Sequence, residues 1–230
     1  MTRKTVDIAP LDRLGWLASQ PETLRDWVAS VGIWRDYQPG QVIYMAEDPA
    51  DGLYGLARGA LDISSPDAGD EQVALSRAEP GFWIGDAALL SNTPRLVTVT
   101  AMTEARLLFL PGPAVLRLLH ENPEMWPCFY MLSNINLAVA LELLAEALSC
   151  PPRVRIARNI LRLSDADDTA VLASQADIAR LAGVTRATMQ RGLADLVRAG
   201  AVETGYRALQ VRDRSALRAA ARMANRSGSA

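Results

Sequence analysis

Residues 174–197 read SQADIARLAGVTRATMQRGLADLV, and this stretch predicts two short helices joined at Gly183. Ser174 is a suitable N-cap for the first helix, and Asp177 places a carboxylate in its first turn, where the helix dipole favours negative charge. Thr185 is placed to cap the second helix, shortly after the glycine. The predicted pattern is therefore a helix, a sharp turn and a second helix.

Both helices combine a buried face with an exposed one. Apolar residues recur in the first helix at spacings of three and four, at Ile178, Leu181 and Ala182. The inner face of the second helix carries Met189, Leu193, Leu196 and Val197, and its outer face carries Arg186, Gln190 and Arg191. Two helices with hydrogen-bond donors on the exposed face of the second are typical of a helix-turn-helix, whose second helix enters the major groove of DNA. The alternative is an ordinary helical hairpin with a solvated charged face.

A β-wing is predicted directly after these helices, in residues 200–211. The side chains suited to its two short strands are Val202, Tyr206, Leu209 and Val211. Gly205 suits the tight turn between the strands, and Arg207, just past the turn, is placed to reach a phosphate. The wing favours a winged helix-turn-helix over the hairpin.

The distribution of charge supports a nucleic-acid ligand for one part of the chain. The sequence has 230 residues and a net charge of −2, and its length allows one large domain or two small ones. Residues 151–230 carry 14 Arg and 7 acidic residues, a net charge of +7, whereas residues 1–150 carry 10 basic and 19 acidic residues, a net charge of −9. This asymmetry indicates that phosphate binding is confined to the C-terminal part.

Composition disfavours several other classes of protein. No apolar run approaches the roughly 20 residues that span a bilayer, and residues 1–7 lack the apolar core of a signal peptide. We therefore expect a cytoplasmic protein without a membrane partner. Cys128 and Cys150 are too few for a disulfide framework or a four-cysteine cluster, and we expect small buried or interfacial groups. The single histidine, His120, ends an apolar helix, so neither a catalytic set, nor a metal site, nor enzymatic activity is predicted.

Between about residues 32 and 110, short strands alternate with turns rich in glycine and proline. The candidate strands are 33–37, 42–45, 53–58, 60–64, 72–77, 96–102 and 106–110. Many short strands at regular spacing predict a barrel or sandwich. Helices are predicted at 113–120 and 123–149, and the pair Pro151-Pro152 ends the second of them because proline cannot continue the hydrogen-bond ladder. Residues 153–164 open the C-terminal domain.

From about residue 10 to residue 222 the chain resembles the Crp/Fnr family of bacterial transcription regulators. The resemblance is carried by the helix-turn-helix and by residues 80–95, PGFWIGDAALLSNTPR, which are similar to the family's phosphate-binding cassette. It implies an α+β fold with an N-terminal β-roll of the cyclic-nucleotide-binding, jelly-roll type (1–122), a long dimerisation helix (123–150) and a C-terminal winged helix-turn-helix (151–230). It also implies a homodimer that binds double-stranded DNA at a palindromic operator, with RNA polymerase as a partner.

The cassette has the chemistry of a cyclic-phosphate site. Backbone N–H groups and an arginine bind the phosphate, and a carboxylate near the start of a short helix binds the ribose 2′-hydroxyl. The matching positions form the candidate effector pocket: Gly85, Asp86, Ala87, Ala88, Arg95 and Leu96. A salt bridge between Asp86 and Arg95 that stabilises the roll is the alternative role for these two charges.

Two departures from the family pattern argue against cAMP as a tight ligand. Leu96 replaces a hydroxyl residue beside the arginine, and a buried leucyl side chain there removes a phosphate hydrogen bond, about 1.5–3 kcal/mol. On the long helix, Ala140 and Leu141 stand where cAMP-responsive members have hydroxyl residues that meet the adenine. We therefore expect no tightly bound cofactor. Activation by cAMP or another nucleotide, or by a more apolar ligand, is the alternative.

The long helix is the predicted dimer contact. A heptad-like seam is predicted through Leu132, Ile135, Val139 and Glu142 or Leu143. Other faces of the same helix carry Leu137, Leu141, Leu144 and Leu148. One face can thus cover the roll while another meets a partner helix, which sets two recognition helices about one turn of DNA apart.

Candidate DNA contacts follow from the position of each side chain. Arg186 opens the second helix and is the predicted reader of guanine, whereas Gln190 is a candidate reader of adenine or a phosphate contact. The complete set of DNA-binding candidates is Ser174, Gln175, Thr185, Arg186, Thr188, Gln190, Arg191 and Arg207. Ala187 stands where family members often carry Glu, which accepts from cytosine, so the operator is expected to depart from the usual half-site.

Overall fold

The computed structural model of the protein describes residues 5–66, 72–164, 171, 173–205 and 208–222. The chain forms two compact units that divide between Ala140 and Leu141.

Two short helices precede the sheets of the first unit, α1 (Gly15–Ala18) and α2 (Glu22–Val31). Trp16 of α1 packs edge-on against Trp83, with ring centroids 5.2 Å apart, and lies 5.5 Å from the ring of Phe129. All three rings belong to the largely buried core of this unit. These helices were not predicted from the sequence, and they cover one side of that core.

Two antiparallel four-stranded sheets form the β-roll. Its strands are β1 (Ile33–Tyr37), β2 (Val42–Tyr44), β3 (Gly52–Arg58), β4 (Leu61–Pro66), β5 (Gln72–Ala78), β6 (Trp83–Ile84), β7 (Thr98–Ala101) and β8 (Ala105–Pro111), with the short helix α3 (Asp86–Ser91) between β6 and β7. The sheet orders are β1-β8-β3-β6 and β2-β7-β4-β5. The predicted α+β fold with an N-terminal β-roll is confirmed.

Some strand bounds differ from the prediction. β6 was missed because two residues are too short to show a period of two. β7 begins at Thr98 rather than at residue 96, so Leu96 lies outside the strand, and β4 extends to Pro66.

After the roll come α4 (Gly112–Glu121), a 3-10 turn (Pro123–Met125) and the long helix α5 (Trp126–Ser149). His120 lies in the last turn of α4, where the helix dipole favours a positive charge. Both predicted helices are present, and only the first three residues of the long one are 3-10 rather than α.

The faces of α5 differ from the predicted seam. Leu132 is 1 % exposed and packs with Phe129 in the core of the roll, so its assignment to the dimer seam is wrong. Ile135 and Val139 of the predicted seam are 41 % and 39 % exposed. Larger exposed fractions recur at spacings of four, three and four, at Leu137, Leu141, Leu144 and Leu148. This is the heptad spacing of a coiled-coil seam. Both faces of α5 are apolar, and periodicity alone could not tell which one covers the roll.

The second unit contains the predicted winged helix-turn-helix. Its elements are α6 (Pro152–Arg162), α7 (Gln175–Leu181), α8 (Arg186–Arg198), β9 (Val202–Gly205), β10 (Ala208–Val211) and α9 (Arg214–Ala220). Strands β9 and β10 pair antiparallel. Val197 is 41 % exposed, so its assignment to the inner face of α8 is wrong. Gly205 ends β9 instead of occupying the turn, while Tyr206 and Arg207 lie outside the described residues.

By length and composition alone, residues Pro123–Ser149 could cross a membrane, contrary to the expectation that no segment is long and apolar enough. Two residues of this helix are nevertheless buried against folded protein. Phe129 is buried in the roll core. Glu146 is buried too, and it is paired with Arg158, at 3.4 Å, and with Arg162 of α6.

Candidate DNA-binding surface and effector pocket

The start of α7 is fixed by a capping box. The Ser174 hydroxyl accepts a hydrogen bond from the backbone N–H of Asp177 (3.1 Å), and the Asp177 carboxylate accepts one from the backbone N–H of Ser174 (3.1 Å). Each bond satisfies a donor that helix geometry leaves unpaired. The predicted N-cap is confirmed.

The turn between α7 and α8 is tight and is held from α6. Gly183 has a φ of +58°, in the left-handed region that glycine adopts without strain. Arg155 of α6 donates from Nε to the carbonyl of Ala182 (2.8 Å) and from Nη2 to that of Gly183 (3.2 Å). This role of Arg155 was not predicted, because no local pattern marks partners more than 25 residues away.

The first turn of α8 leaves one arginine available. Thr185 Oγ1 accepts from the backbone N–H of Thr188 (3.3 Å), which confirms the predicted cap, and the two hydroxyl oxygens are 3.1 Å apart. Arg191 donates from Nη2 to Thr188 Oγ1 (3.3 Å). Arg186 is exposed, and within the described part of the chain its guanidinium has no hydrogen bond or ion pair.

Gln190, one turn further along α8, is joined to α7. Its Nε2 donates to Oε1 of Gln175, the first residue of α7, at 2.9 Å. A surface groove lies between the two helices here, with Ala179, Val184 and Met189 among its lining residues. The hydrogen bond therefore connects the exposed edges of the two helices.

Most predicted DNA contacts lie at the start of α7 or in the first half of α8. The residues that the structure places there are Ser174, Gln175, Thr185, Arg186, Thr188, Gln190 and Arg191. Arg207 lies outside the described residues, so its predicted phosphate contact has no structural description.

In the first unit, Arg95 is 1 % exposed and forms the centre of the predicted effector pocket. It donates from Nη1 to the Gly85 carbonyl (3.0 Å), and from Nη2 to the Asp51 carboxylate (2.6 Å) and the Gly52 carbonyl (2.8 Å). Its guanidinium lies over the ring of Tyr44, 4.2 Å from the centroid. Its Nε–H is buried and has no hydrogen-bond partner among the described residues. Most hydrogen-bond donors of the guanidinium that was predicted to bind a phosphate are therefore bound to protein groups.

Asp86, the predicted ribose ligand, is 2 % exposed and is bound to α5. Its Oδ2 accepts from the Ser133 hydroxyl (2.6 Å), and its Oδ1 accepts from Nδ2 of Asn136 (2.8 Å). Asn136 also donates to the carbonyl of Trp83 (3.1 Å). The alternative of a salt bridge between Asp86 and Arg95 is wrong, because each charge is held by other groups. Ser133 and Asn136 were missed, since they lie 47 and 50 residues from Asp86.

Two tyrosines lie beside these charges. The Tyr54 hydroxyl donates to Asp51 (2.7 Å) and accepts from Nη1 of Arg35 (3.1 Å). Burial raises the pKa of the Tyr44 phenol above its usual range, against the opposing effect of Arg95 and with the support of nearby carboxylates. Burial also raises the pKa of Tyr54, and the hydrogen bond to Asp51 adds to this shift. Both phenols are therefore neutral at physiological pH.

The remaining pocket residues lie around α3. Gly85 has a φ of +103°, and a Cβ there would lie 2.5 Å from Nη1 of Arg95, so glycine makes room for the guanidinium. Ala87 and Ala88 belong to the first turn of α3. Leu96 is 68 % exposed, because it precedes β7, so the expected buried leucyl side chain beside the phosphate is wrong. Leu96 nevertheless has no hydroxyl group that could donate a hydrogen bond to a phosphate.

Replacing Asp86 with alanine is expected to lower the free energy of unfolding by about 1.5–3 kcal/mol, because the Ser133 hydroxyl and the Asn136 amide lose a charged acceptor. Chemical denaturation followed by tryptophan fluorescence measures the change. Glu79→Ala, which removes an exposed carboxylate from the same unit, is the control and is expected to cost less than about 0.5 kcal/mol. Equal stability of Asp86→Ala and the wild type would contradict this structural role.

Comparison with known proteins gives two family matches. Residues 34–122 match the cyclic nucleotide-binding domain family, and residues 154–220 match the Crp-like helix-turn-helix domain family. The chain is 26 % identical over 187 residues to the HTH-type transcriptional regulator Cmr of Mycobacterium tuberculosis, covering 81 % of this chain and 75 % of that protein. It is 22 % identical over 195 residues to the CRP-like cAMP-activated global transcriptional regulator of the same species, covering 81 % of this chain and 87 % of that protein.

A solved structure has a similar fold. A CRP-family transcriptional regulator from Thermus thermophilus aligns with a TM-score of 0.64 at 26 % identity, covering 81 % of this chain and 96 % of that one. The two domain families match in the order β-roll, then winged helix. The similarity to transcription regulators extends over most of the chain and includes both domains. The chain therefore belongs to the Crp/Fnr family of DNA-binding transcription regulators.

Proposed function

We propose that the protein is a sequence-specific, homodimeric transcription regulator that binds a palindromic operator without requiring cAMP. The observation that carries this proposal is the first turn of α8, where the exposed Arg186 has no protein partner within the described residues. A free guanidinium at this end of a recognition helix can bind O6 and N7 of guanine bidentately. The hydroxyls of Thr185 and Thr188, which already bind each other, are assigned to the DNA backbone.

The exposed seam of α5 supports the dimer. Leu137, Leu141, Leu144 and Leu148 are 55 %, 55 %, 54 % and 80 % exposed. Large apolar side chains at heptad spacing are buried when two such helices pair as a coiled coil, whereas a continuous apolar row in water marks an interaction surface. A two-fold dimer places its two recognition helices in successive major grooves, which is why the operator is palindromic.

The contacts of Arg95 and Asp86 support DNA binding without cAMP. A cyclic phosphate would compete with Asp51 for Arg95, and a ribose hydroxyl would compete with Ser133 and Asn136 for Asp86. Each charge-assisted hydrogen bond that the ligand displaces costs about 1.5–3 kcal/mol. Apart from the Nε–H of Arg95, the two charged side chains of the pocket are therefore satisfied by the protein's own groups.

Activation by a cyclic nucleotide is the second candidate, and one observation favours it. The buried Nε–H of Arg95 lacks an acceptor among the described residues, and an anionic ligand could supply one. In that case Arg95 would hold the phosphate and Asp86 the ribose. The name of one Mycobacterium tuberculosis relative describes that protein as cAMP-activated.

The same proposal includes a cytoplasmic location and RNA polymerase as a protein partner. A dimer seam accounts for the apolar surface of α5, so no membrane partner is included. The Ala187 side chain cannot accept from cytosine, and the operator is accordingly expected to differ from half-sites that are read by a glutamate.

Selection of duplexes from a random pool, with and without cAMP, tests the proposal. Purified full-length protein is expected to enrich a palindrome whose half-site centres are about 10 base pairs apart, or a multiple of this, in both pools. Enrichment only with cAMP would support the second candidate. Failure to enrich any sequence in either pool would contradict specific DNA binding.

A further inference from the structure

We propose that Gln175 and Gln190 form an amide pair that selects an A·T base pair in each half-site. Gln190 contacts the adenine, and Gln175 is the residue that positions it. This inference rests on the proposed function, since it names a specificity-determining element of the same DNA-binding surface.

The pair is built from both helices of the motif. Nε2 of Gln190 donates to Oε1 of Gln175 at 2.9 Å. Gln175 is half-buried at the start of α7, which the Ser174–Asp177 capping box fixes, and Gln190 is exposed on α8. Among the described residues, neither glutamine side chain has another hydrogen bond. Their remaining donors and acceptors are therefore available to a ligand.

The donors and acceptors that remain on Gln190 match adenine. A primary amide has two N–H donors and one carbonyl acceptor, and Gln190 uses one N–H on Gln175. The second N–H and the carbonyl can bind N7 and the N6 amino group of adenine, which are an acceptor and a donor in the major groove. Guanine presents two acceptors at the same positions, so the glutamine carbonyl would face O6 with no proton between them.

The position of the pair on α8 fits a second base contact. Gln190 follows Arg186 by four residues, so the two side chains lie on the same face of the helix, about 6 Å apart along its axis. Successive base pairs are separated by about 3.4 Å. We therefore expect the adenine within two base pairs of the guanine that Arg186 contacts. A side chain held in place by a partner also loses less conformational entropy when it binds.

Fluorescence anisotropy with full-length variants, on duplexes that differ only at this base pair, tests the amide pair. In Gln190→Ala, the ratio of affinities for the A·T duplex and the other duplexes is expected to fall by about 5- to 150-fold. Gln175→Ala is expected to lose a smaller part of the same preference. The double variant should discriminate no worse than Gln190→Ala, because Gln175 acts through Gln190. Gln38→Ala, which removes an exposed glutamine from the first unit, should leave the preference unchanged.

Two charged variants separate positioning from simple packing. Gln175→Glu keeps an acceptor for Nε2 of Gln190, so the A·T preference should be retained while the added negative charge weakens binding to every duplex. Gln190→Glu replaces the donor–acceptor edge with acceptors alone, and the preference should change to C·G, whose cytosine N4 amino group is a donor.

The proposed role of the amide pair would be overturned if the wild type preferred G at this position. It would also be overturned if Gln175→Ala preferred A·T as strongly as the wild type does. Specific binding that depends on Arg186 would survive both results. Failure of the wild type to prefer any duplex over a scrambled one would instead overturn the proposed function itself.

Discussion

The double variant Leu141→Asp, Leu144→Asp is expected to be monomeric and to bind the palindrome at least about 100-fold more weakly than the wild type. Two carboxylates in the seam would have to be desolvated in a coiled-coil interface, a cost that apolar contacts cannot offset. Bivalent binding to two half-sites is then lost, and each unit binds alone. Both leucines are more than half exposed in the single chain, so the monomer should remain folded.

Sedimentation velocity measures the oligomeric state of this variant, circular dichroism checks its fold, and anisotropy gives its DNA affinity. Leu116→Asp is the matched control, because Leu116 is an exposed leucine (45 %) on α4 rather than on the seam of α5. That control is expected to remain dimeric with wild-type affinity. A double variant that sediments as a dimer would show that the seam is not the interface.

Arg186→Ala is expected to weaken binding to the palindrome by at least about 30-fold, because about 1–3 kcal/mol of base recognition is lost in each of two half-sites. Binding to a scrambled duplex should fall only a few-fold, since one phosphate-attracting charge per subunit is a small part of the electrostatic attraction. Anisotropy titrations of both duplexes at the same salt concentration give the two ratios.

The matched control for Arg186 is Arg198→Ala. Arg198 is an exposed arginine at the other end of α8 and is paired with Asp195 at 2.9 Å. Its removal changes the net charge equally and should reduce binding to both duplexes by the same small factor. If Arg186→Ala also weakened both duplexes equally, Arg186 would contact phosphate rather than a base.

The helix-turn-helix could be predicted because its signals are local. The N-caps Ser174 and Thr185 form hydrogen bonds with residues three positions later, and Gly183 supplies a left-handed turn that few other residues adopt. Strand β1 was predicted at its observed bounds for a similar reason, because turn residues flank it closely. Where a feature depends on neighbours within a few residues, the sequence was sufficient.

Features that depend on distant neighbours were missed. The hydrogen bonds from Ser133 and Asn136 to Asp86 connect α5 to α3, and the sequence contains no pattern that pairs them. The seam was assigned through Leu132 because both faces of α5 are apolar, and only the packing of the roll shows which face is covered. Leu96 was expected to open a strand and to be buried, whereas β7 begins two residues later and Leu96 is exposed.

Nucleotide-free protein is expected to bind the palindrome at least about 1,000-fold more tightly than a scrambled duplex of the same composition. Fluorescence anisotropy at fixed salt measures both affinities, after absorbance spectra confirm that no nucleotide has copurified. Adding cAMP should change the affinity for the palindrome by less than about twofold, since a ligand without differential affinity shifts no equilibrium. Specific binding that develops only after cAMP is added would contradict cAMP-independent binding.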